Sequence, residues 1–181
     1  MRSIETDRLN IRPPVENDRA RFVAPFMDEA FTVFSDGVHD AESANARFDR
    51  MMLMADAIRY AKQPVIERSS GTIVGYTGAD SYVVDGIDRL EWGWRLEPEA
   101  RGRGYATEAT TALLAVADRH DDGEMLCLIA ADNHASRRVA DKVGFRWWRR
   151  IDWMDDPTDP VDLLVRPIGS GGPPLLAPDR A

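Results

Sequence analysis

Residues Arg101-Gly102-Arg103-Gly104-Tyr105-Ala106 have the makeup of an anion cradle. They stand between Ile87–Leu96, where tryptophans alternate with other residues, and Ala106–His120, rich in Ala, Leu, Thr and Glu and free of Gly and Pro. The first stretch reads as a strand and the second as a helix. The leading N–H groups of a helix have no partner within it, and the helix dipole adds partial positive charge there. Gly102 and Gly104 let backbone approach a ligand closely, and Arg101 and Arg103 add full charges. The same turn, with solvated arginines, would also serve as a plain strand-to-helix connection. A nucleotide phosphate loop is a third reading, but neither G-x-x-x-x-G-K-[ST] nor G-x-G-x-x-G is present.

The elements that must position this turn are legible on both sides of it. Arg8–Arg12 puts Leu9 and Ile11 on one face and stops at Pro13-Pro14, as a short strand does. Asn17 or Asp18 is placed to cap a helix to about Asp28, with Phe22, Val23 and Phe26 inward. Asp40–Ala61 is a second helical region whose Phe48, Met51, Met52, Met54 and Ile58 form a core or groove stripe. Pro64–Glu67, Thr72–Ala79 and Ile87–Leu96 follow as strands, joined by Ser69-Ser70-Gly71 and Asp85-Gly86, the pattern of an antiparallel meander. In Ala106–His120, the residues Ala109, Leu113, Val116 and Ala117 fall on one helical face. Met125–Ala130 reads as a buried strand holding Cys127. Ala135–Val143 reads as a helix capped by Asp132 or Asn133, with Ala135, Val139 and Val143 inward and Gly144 as its stop. Phe145–Asp152 and Val161–Val165 complete the strands. Such mixing indicates an α/β or α+β domain.

The chain has 181 residues, 44% hydrophobic and 30% charged, ordinary for one globular domain with one core. From Pro167 onward Gly and Pro dominate, so the domain is expected over residues 1–167 and a flexible tail over 168–181. No apolar run is long enough to span a bilayer, and Arg2, Glu5, Asp7 and Arg8 interrupt any signal-peptide stretch. With Cys127 as the single cysteine, these features point to a soluble cytoplasmic protein without disulfides. A net charge of −8 argues against general nucleic-acid binding and permits a basic acceptor molecule. His39, His120 and His134 lack metal-ligand spacing, so no metal is expected.

Arg101, Gly104 and Ala106 match R-x-x-G-x-A, and Glu108 and Ala109 extend it. Asn133-His134-Ala135-Ser136 follows, then Lys142-Val143-Gly144-Phe145. Thr6-Asp7-Arg8-Leu9 leads to Ile11-Arg12-Pro13 near the N-terminus. From about Thr6 to Val165 this ordered set resembles the GNAT superfamily of acyl-CoA-dependent N-acetyltransferases, and within it the ribosomal-protein N-terminal acetyltransferases of the RimJ/RimL type. The resemblance implies a mixed, mostly antiparallel sheet of six to seven strands, flanked by about four helices, with a splayed central strand pair. It implies acetyl-CoA as co-substrate, its pyrophosphate on the backbone of Arg101–Ala106 with charge-assisted contacts from Arg101 and Arg103. The acceptor it implies is an amine, on a small molecule or a protein N-terminus; a monomer and a homodimer are both compatible with it.

In such a family the strand Ile87–Leu96 bulges and splays, and its free backbone pairs with the pantetheine arm. Trp94, Arg95 and Leu96 hold that place here, with an N–H near Trp94 to stabilise an oxyanion. Trp92, Trp94 and Leu96 share one face, where at least one tryptophan is core; Glu91, Gly93 and Arg95 share the other. Glu91 is the first candidate for general base and Asp80 its competitor, with an exposed strand carboxylate as the plainer reading of Glu91. The family's helical tyrosine acid aligns with Ala140 and is therefore missing. Ser136 is the nearest polar substitute, unless its hydroxyl bonds back to a helix carbonyl. A thiolate needs only modest help, since a thiol has a pKa of about 8.5. Asn133 is a helix cap and, by resemblance, a contact to the pantetheine arm. The basic run Arg137, Arg138, Lys142, Arg146, Arg149 and Arg150 is mostly a solvated face that offers one or two partners for the CoA 3′-phosphate. The acceptor groove is expected from Phe26–Ala61 and the loop before Val161. A binding module that senses CoA without turnover is the alternative to an enzyme.

Overall fold

The computed structural model describes residues 3–34, 37–153 and 156–169. Its strands are β1 (Ile4–Glu5), β2 (Leu9–Ile11), β3 (Gln63–Glu67), β4 (Ile73–Val84), β5 (Ile87–Leu96), β6 (Gly123–Ala130), β7 (Arg146–Trp153) and β8 (Asp156–Ile168). They form one eight-stranded sheet in the order β1-β2-β3-β4-β5-β6-β8-β7. Every neighbouring pair is antiparallel except β5–β6. The helices are α1 (Arg19–Phe26), α2 (Glu29–Thr32), α3 (Ala41–Ala57), α4 (Tyr105–His120) and α5 (His134–Lys142). The mixed, mostly antiparallel architecture is the expected one, with a strand and a helix more than the sequence shows.

The differences have local causes. Asp85 and Gly86 both take positive φ, 53° and 73°, which closes a two-residue hairpin and carries β4 past Ala79 to Val84. Asp18 does not cap α1; its carboxylate turns back to the Val15 N–H at 2.9 Å and forks with Arg12. The helix expected to about Asp28 stops at Phe26, and Asp28 caps α2 instead, accepting from the Ala30 N–H at 2.7 Å. Asp40 caps α3 through Ser43, but α3 ends at Ala57; Ile58 is extended, residues 59–60 turn, and Ala61 bridges Ala79. Strand β8 continues through Ile168, one residue beyond the expected domain end; residues 170–181 of the expected tail lie outside the described residues.

The sheet separates two apolar layers. On one side α4 packs Ala109, Leu113, Leu114 and Ala117 against Trp92, Leu96 and Leu9. Thr110 on α4 meets Thr77 on β4 at 2.9 Å, and the buried Trp92 Nε1 donates to the same Thr77 hydroxyl at 3.2 Å. On the other side α1, α2 and α3 bring Phe22, Phe26, Phe31, Phe48 and Met51 together, with Tyr76 of β4 packed against them.

Candidate active site

The turn from β5 to α4 is locked from outside and open within. Thr6 Oγ1 donates to Glu108 Oε1 at 2.6 Å, and the Arg8 N–H and guanidinium donate to the same carboxylate. Arg8 Nη1 also reaches the Arg103 carbonyl at 2.9 Å. The Thr6–Leu9 motif is therefore a clamp on the turn. Arg101 Nε donates to the Leu96 carbonyl at 3.1 Å and Nη2 to the Ala30 carbonyl at 2.8 Å. Arg103 pairs with Glu67 at 2.8 Å, and the Tyr105 hydroxyl donates to the same Glu67 oxygen at 2.5 Å. Here the two arginine side chains brace the turn rather than extend from it. Among the described residues the Arg101 N–H bonds Pro98 O and the Glu108 N–H bonds Gly104 O, while the amides of residues 102–107 have no acceptor. Gly102 and Gly104, at φ 75° and 83°, give the segment that shape. It is an array of oriented donors at a helix N-terminus, the arrangement that binds phosphate.

The parallel pair β5–β6 supplies the second part. It is in register only at Glu91↔Leu126; beyond that point the strands diverge, while β6 stays paired with β8 over its whole length. The pairing of β5 with β4 runs from Val84↔Ile87 to Gly75↔Leu96 without a register shift. The splay is thus present, but the expected bulge is not in that ladder. The divergence opens a cleft of about 290 Å³, reached from β5 by Glu91, Gly93, Trp94, Arg95 and Leu96 and from the turn by Arg101, Gly102 and Ala106. Trp92 is fully buried, the core tryptophan of the alternation, whereas Trp94 is half-buried and lines the cleft.

Glu91 sits at the vertex of the splay, directly opposite Asp80. Two carboxylates facing each other across a strand pair repel unless compensated. Arg50 forks Asp80 at 2.7 and 3.1 Å, and Lys62 Nζ lies 3.4 Å from Glu91 and 3.7 Å from Asp80. Burial pulls the Lys62 ammonium down, but attraction to Glu91 foremost, then Tyr76 and Asp80, holds it above its ordinary value. Lys62 is placed by Gly78: a Cβ there would stand 2.3 Å from the Ala61 carbonyl, so only glycine lets the 60–62 segment lie against β4. Sequence reasoning passed over Lys62 by extending the α3 helix through Ala61. It also passed over Tyr76, which alternation places on the cleft face of β4. Cys127 borders the cleft but is buried, and burial pushes its thiol well above the usual range. It is an inert thiol.

Helix α5 forms the far wall. Asn133 caps it, its Oδ1 accepting from the Ser136 N–H at 3.0 Å. Asn133 and Ser136 line the cleft, and Ser136 Oγ makes no hydrogen bond among the described residues, so it is not bonded back to a helix carbonyl. Ala135 and Val139, expected inward, face the cleft instead; the buried face of α5 is Ala140 and Val143. Ala140 is fully buried and offers no group to the cleft. Of the basic run, Arg137 and Arg150 engage Asp162, Arg149 engages Asp85 and Arg146 its neighbour's carbonyl. Arg138 and Lys142 are exposed and without an acidic partner among the described residues. Of the segments expected to form an acceptor groove, Phe31, Val33 and Phe34 line the cleft, whereas residues 156–160 are strand, not loop, and among the described residues none of them lines it. Among the described residues no three His, Cys, Asp or Glu side chains gather as a metal site, and no helix is long and apolar enough to cross a membrane.

A family model of the acetyltransferase (GNAT) domain matches residues 8–146. A putative GNAT-family acetyltransferase from Bordetella pertussis is 26% identical, with a TM-score of 0.79 over 92% of this chain and 99% of that one. The YncA protein of Salmonella typhimurium, a putative acetyltransferase solved with acetyl-CoA, is 18% identical, with a TM-score of 0.69 over 96% and 99%. The ribosomal L7/L12 acetyltransferase RimL, solved with coenzyme A, is 16% identical, with a TM-score of 0.74 over 92% and 98%. The last two share the fold.

Proposed function

Because this chain belongs to the GNAT acetyltransferase family, we propose that it moves an acetyl group from acetyl-CoA to a primary amine by direct attack, without a covalent enzyme intermediate. One observation carries the reading: the turn whose amides 102–107 lack an acceptor meets, at Gly102 and Ala106, the gap opened by the divergence of β5 and β6. That pairing fits a molecule with a pyrophosphate at one end and a narrow arm leading to a thioester. The amides and the α4 dipole hold the pyrophosphate. The exposed edge of β5 pairs with the arm around Trp94, since Arg101 already occupies the Leu96 carbonyl. An N–H near Trp94 donates to the acyl oxygen.

Glu91 is the base that relieves the incoming ammonium of its proton, directly or through water. Asp80 is less suited, because Arg50 forks both of its oxygens. Ser136, with its hydroxyl uncommitted, stands nearest to help the departing thiolate. Asn133 serves as cap and arm contact. The reading takes residues 1–167 as the catalytic unit in the cytoplasm; the acceptor is a small-molecule amine or a protein N-terminus, as in the RimJ/RimL branch. A CoA-binding module with weak turnover is the second reading, favoured by the sealed alanine at position 140. Calorimetry with acetyl-CoA, followed by thiol release against amines from amino acids to polyamines, aminoglycosides and N-terminal peptides, separates them. Tight donor binding with no thiol release from any amine would leave the second reading standing and remove the first.

A further inference from the structure

Only two of the chain's 23 basic residues are lysines, Lys62 and Lys142. Lys142 is exposed on the end of α5. Lys62 points into the cleft, three-quarters covered, with its Nζ against Glu91 and Asp80. Its Cε lies 3.5 Å from where a Cβ on Gly93 would stand. One strand step onward, about 3.3 Å, is the backbone of Trp94, where the acyl group is expected. The chain therefore holds a primary amine of its own beside the carboxylate read as its general base.

We propose that Lys62 is a self-acetylation site: the protein transfers an acetyl group from acetyl-CoA to its own Lys62 Nζ. The inference rests on the acetyltransferase reading of the same cleft. The Lys62 ammonium gives a proton to Glu91 or Asp80, the two carboxylates it touches, and from there to solvent. The neutral Nζ attacks the acyl carbon; the new N–C bond forms as the C–S bond breaks, the nitrogen's second proton passes by the same carboxylates to solvent, and the CoA thiolate leaves and takes a proton from water. The groups facing Nζ are Glu91 from β5, Asp80 and Tyr76 from β4, Cys127 from β6 and, through Asp80, Arg50 from α3. They favour the charged form, so the step is slow at neutral pH and speeds about tenfold per pH unit below the ammonium's pKa, as the neutral fraction does. Acetylation removes the ammonium between two facing carboxylates, so the modified protein also loses stability and the cleft loses a positive charge.

The test uses the full chain with acetyl-CoA and no acceptor, read by peptide mapping of both lysines at pH 7, 8 and 9, with Lys142 as internal control for chemical acetylation. The expected result is acetyl-Lys62 formed at least tenfold faster than acetyl-Lys142, at a rate per molecule independent of protein concentration. The preference is lost in unfolded protein and in excess free CoA, and the acetylated fraction melts lower. K62R should bind the donor and show no such product. Equal labelling of both lysines, or an unmodified Lys62 in protein that calorimetry shows to bind acetyl-CoA, overturns the inference and leaves the transferase reading intact. Absence of donor binding overturns both.

Discussion

Gly102 and Gly71 share a backbone conformation, φ 75° and 70°, and at each a Cβ would meet nothing within 4 Å. They differ in what surrounds them: Gly102 lines the cleft, and Gly71 closes the turn between β3 and β4. Alanine at either site is held in the left-handed region at a cost of about 1–2 kcal/mol without a clash. For a chain of this size, each kcal/mol lowers the melting temperature by roughly 2–4 °C, so G71A and G102A should melt lower by similar amounts. Their effects on the donor should part. A methyl at Gly102 enters the cradle and displaces at least one amide–phosphate hydrogen bond, worth about 1.5–3 kcal/mol when one partner is charged. That is roughly a 10- to 150-fold rise in Kd for acetyl-CoA, against none for G71A. Calorimetry on the two variants, with melting curves to match their stability, makes the comparison. If both keep wild-type affinity, or both lose it equally, residues 102–107 are not the donor's phosphate site.

Further outcomes follow from the same geometry. Glu91→Gln should lower kcat/KM by about 10²–10⁴ with any accepted amine while leaving acetyl-CoA affinity within a few-fold; unchanged kcat/KM excludes Glu91 as the base. Ser136→Ala should cost about tenfold or less in kcat, because the thiolate it serves is a good leaving group; a loss beyond 10³ would make Ser136 the essential acid. Burial works against the Asp18 carboxylate, but the Arg12 fork and the Val15 N–H outweigh it and hold it below the usual range. A depressed carboxylate stabilises the fold above its unfolded value and ceases to as pH falls through its folded value. Melting temperature should therefore drop on acidification below about pH 4, and Asp18→Asn should flatten that dependence. Glu108→Ala removes the charged acceptor shared by the Arg8 N–H, the Arg8 guanidinium and the Thr6 hydroxyl, which keeps only the Leu9 carbonyl at 3.3 Å, so it should destabilise by about 1.5–3 kcal/mol in urea unfolding and weaken acetyl-CoA binding as well.

Much of the turn and its flanking elements was legible because local chemistry dictates it. Glycines at positive φ, a strand before, a good helix after and an Asn cap each carry their own signal, and all agree. The rest resisted reading for equally physical reasons. Lys62 lies in the link between α3 and β3, whose course is fixed by Gly78 beneath it, a contact across the chain that no periodicity encodes. Ala135 and Val139 obey helical spacing, but spacing tells which residues share a face and not whether that face meets core or cleft. Asp18 and Asp28 both have cap chemistry, and tertiary partners decide the matter, Arg12 drawing Asp18 away. Nor does charge reveal the present partners of the arginines of the turn, the carbonyls of Leu96 and Ala30 and the carboxylate of Glu67.

The Arg8–Glu108 clamp joins residues 100 positions apart. At 5–20 residues per second, a ribosome takes roughly 5–20 s to deliver the second partner after the first. During synthesis the N-terminal strand must wait, and the amide array acquires its final shape only when α4 has emerged and docked. On the proposed function, donor affinity therefore reports long-range assembly. A shortened chain lacking Thr6–Leu9 should still form α4, yet refold to a form that acetyl-CoA no longer protects from proteolysis.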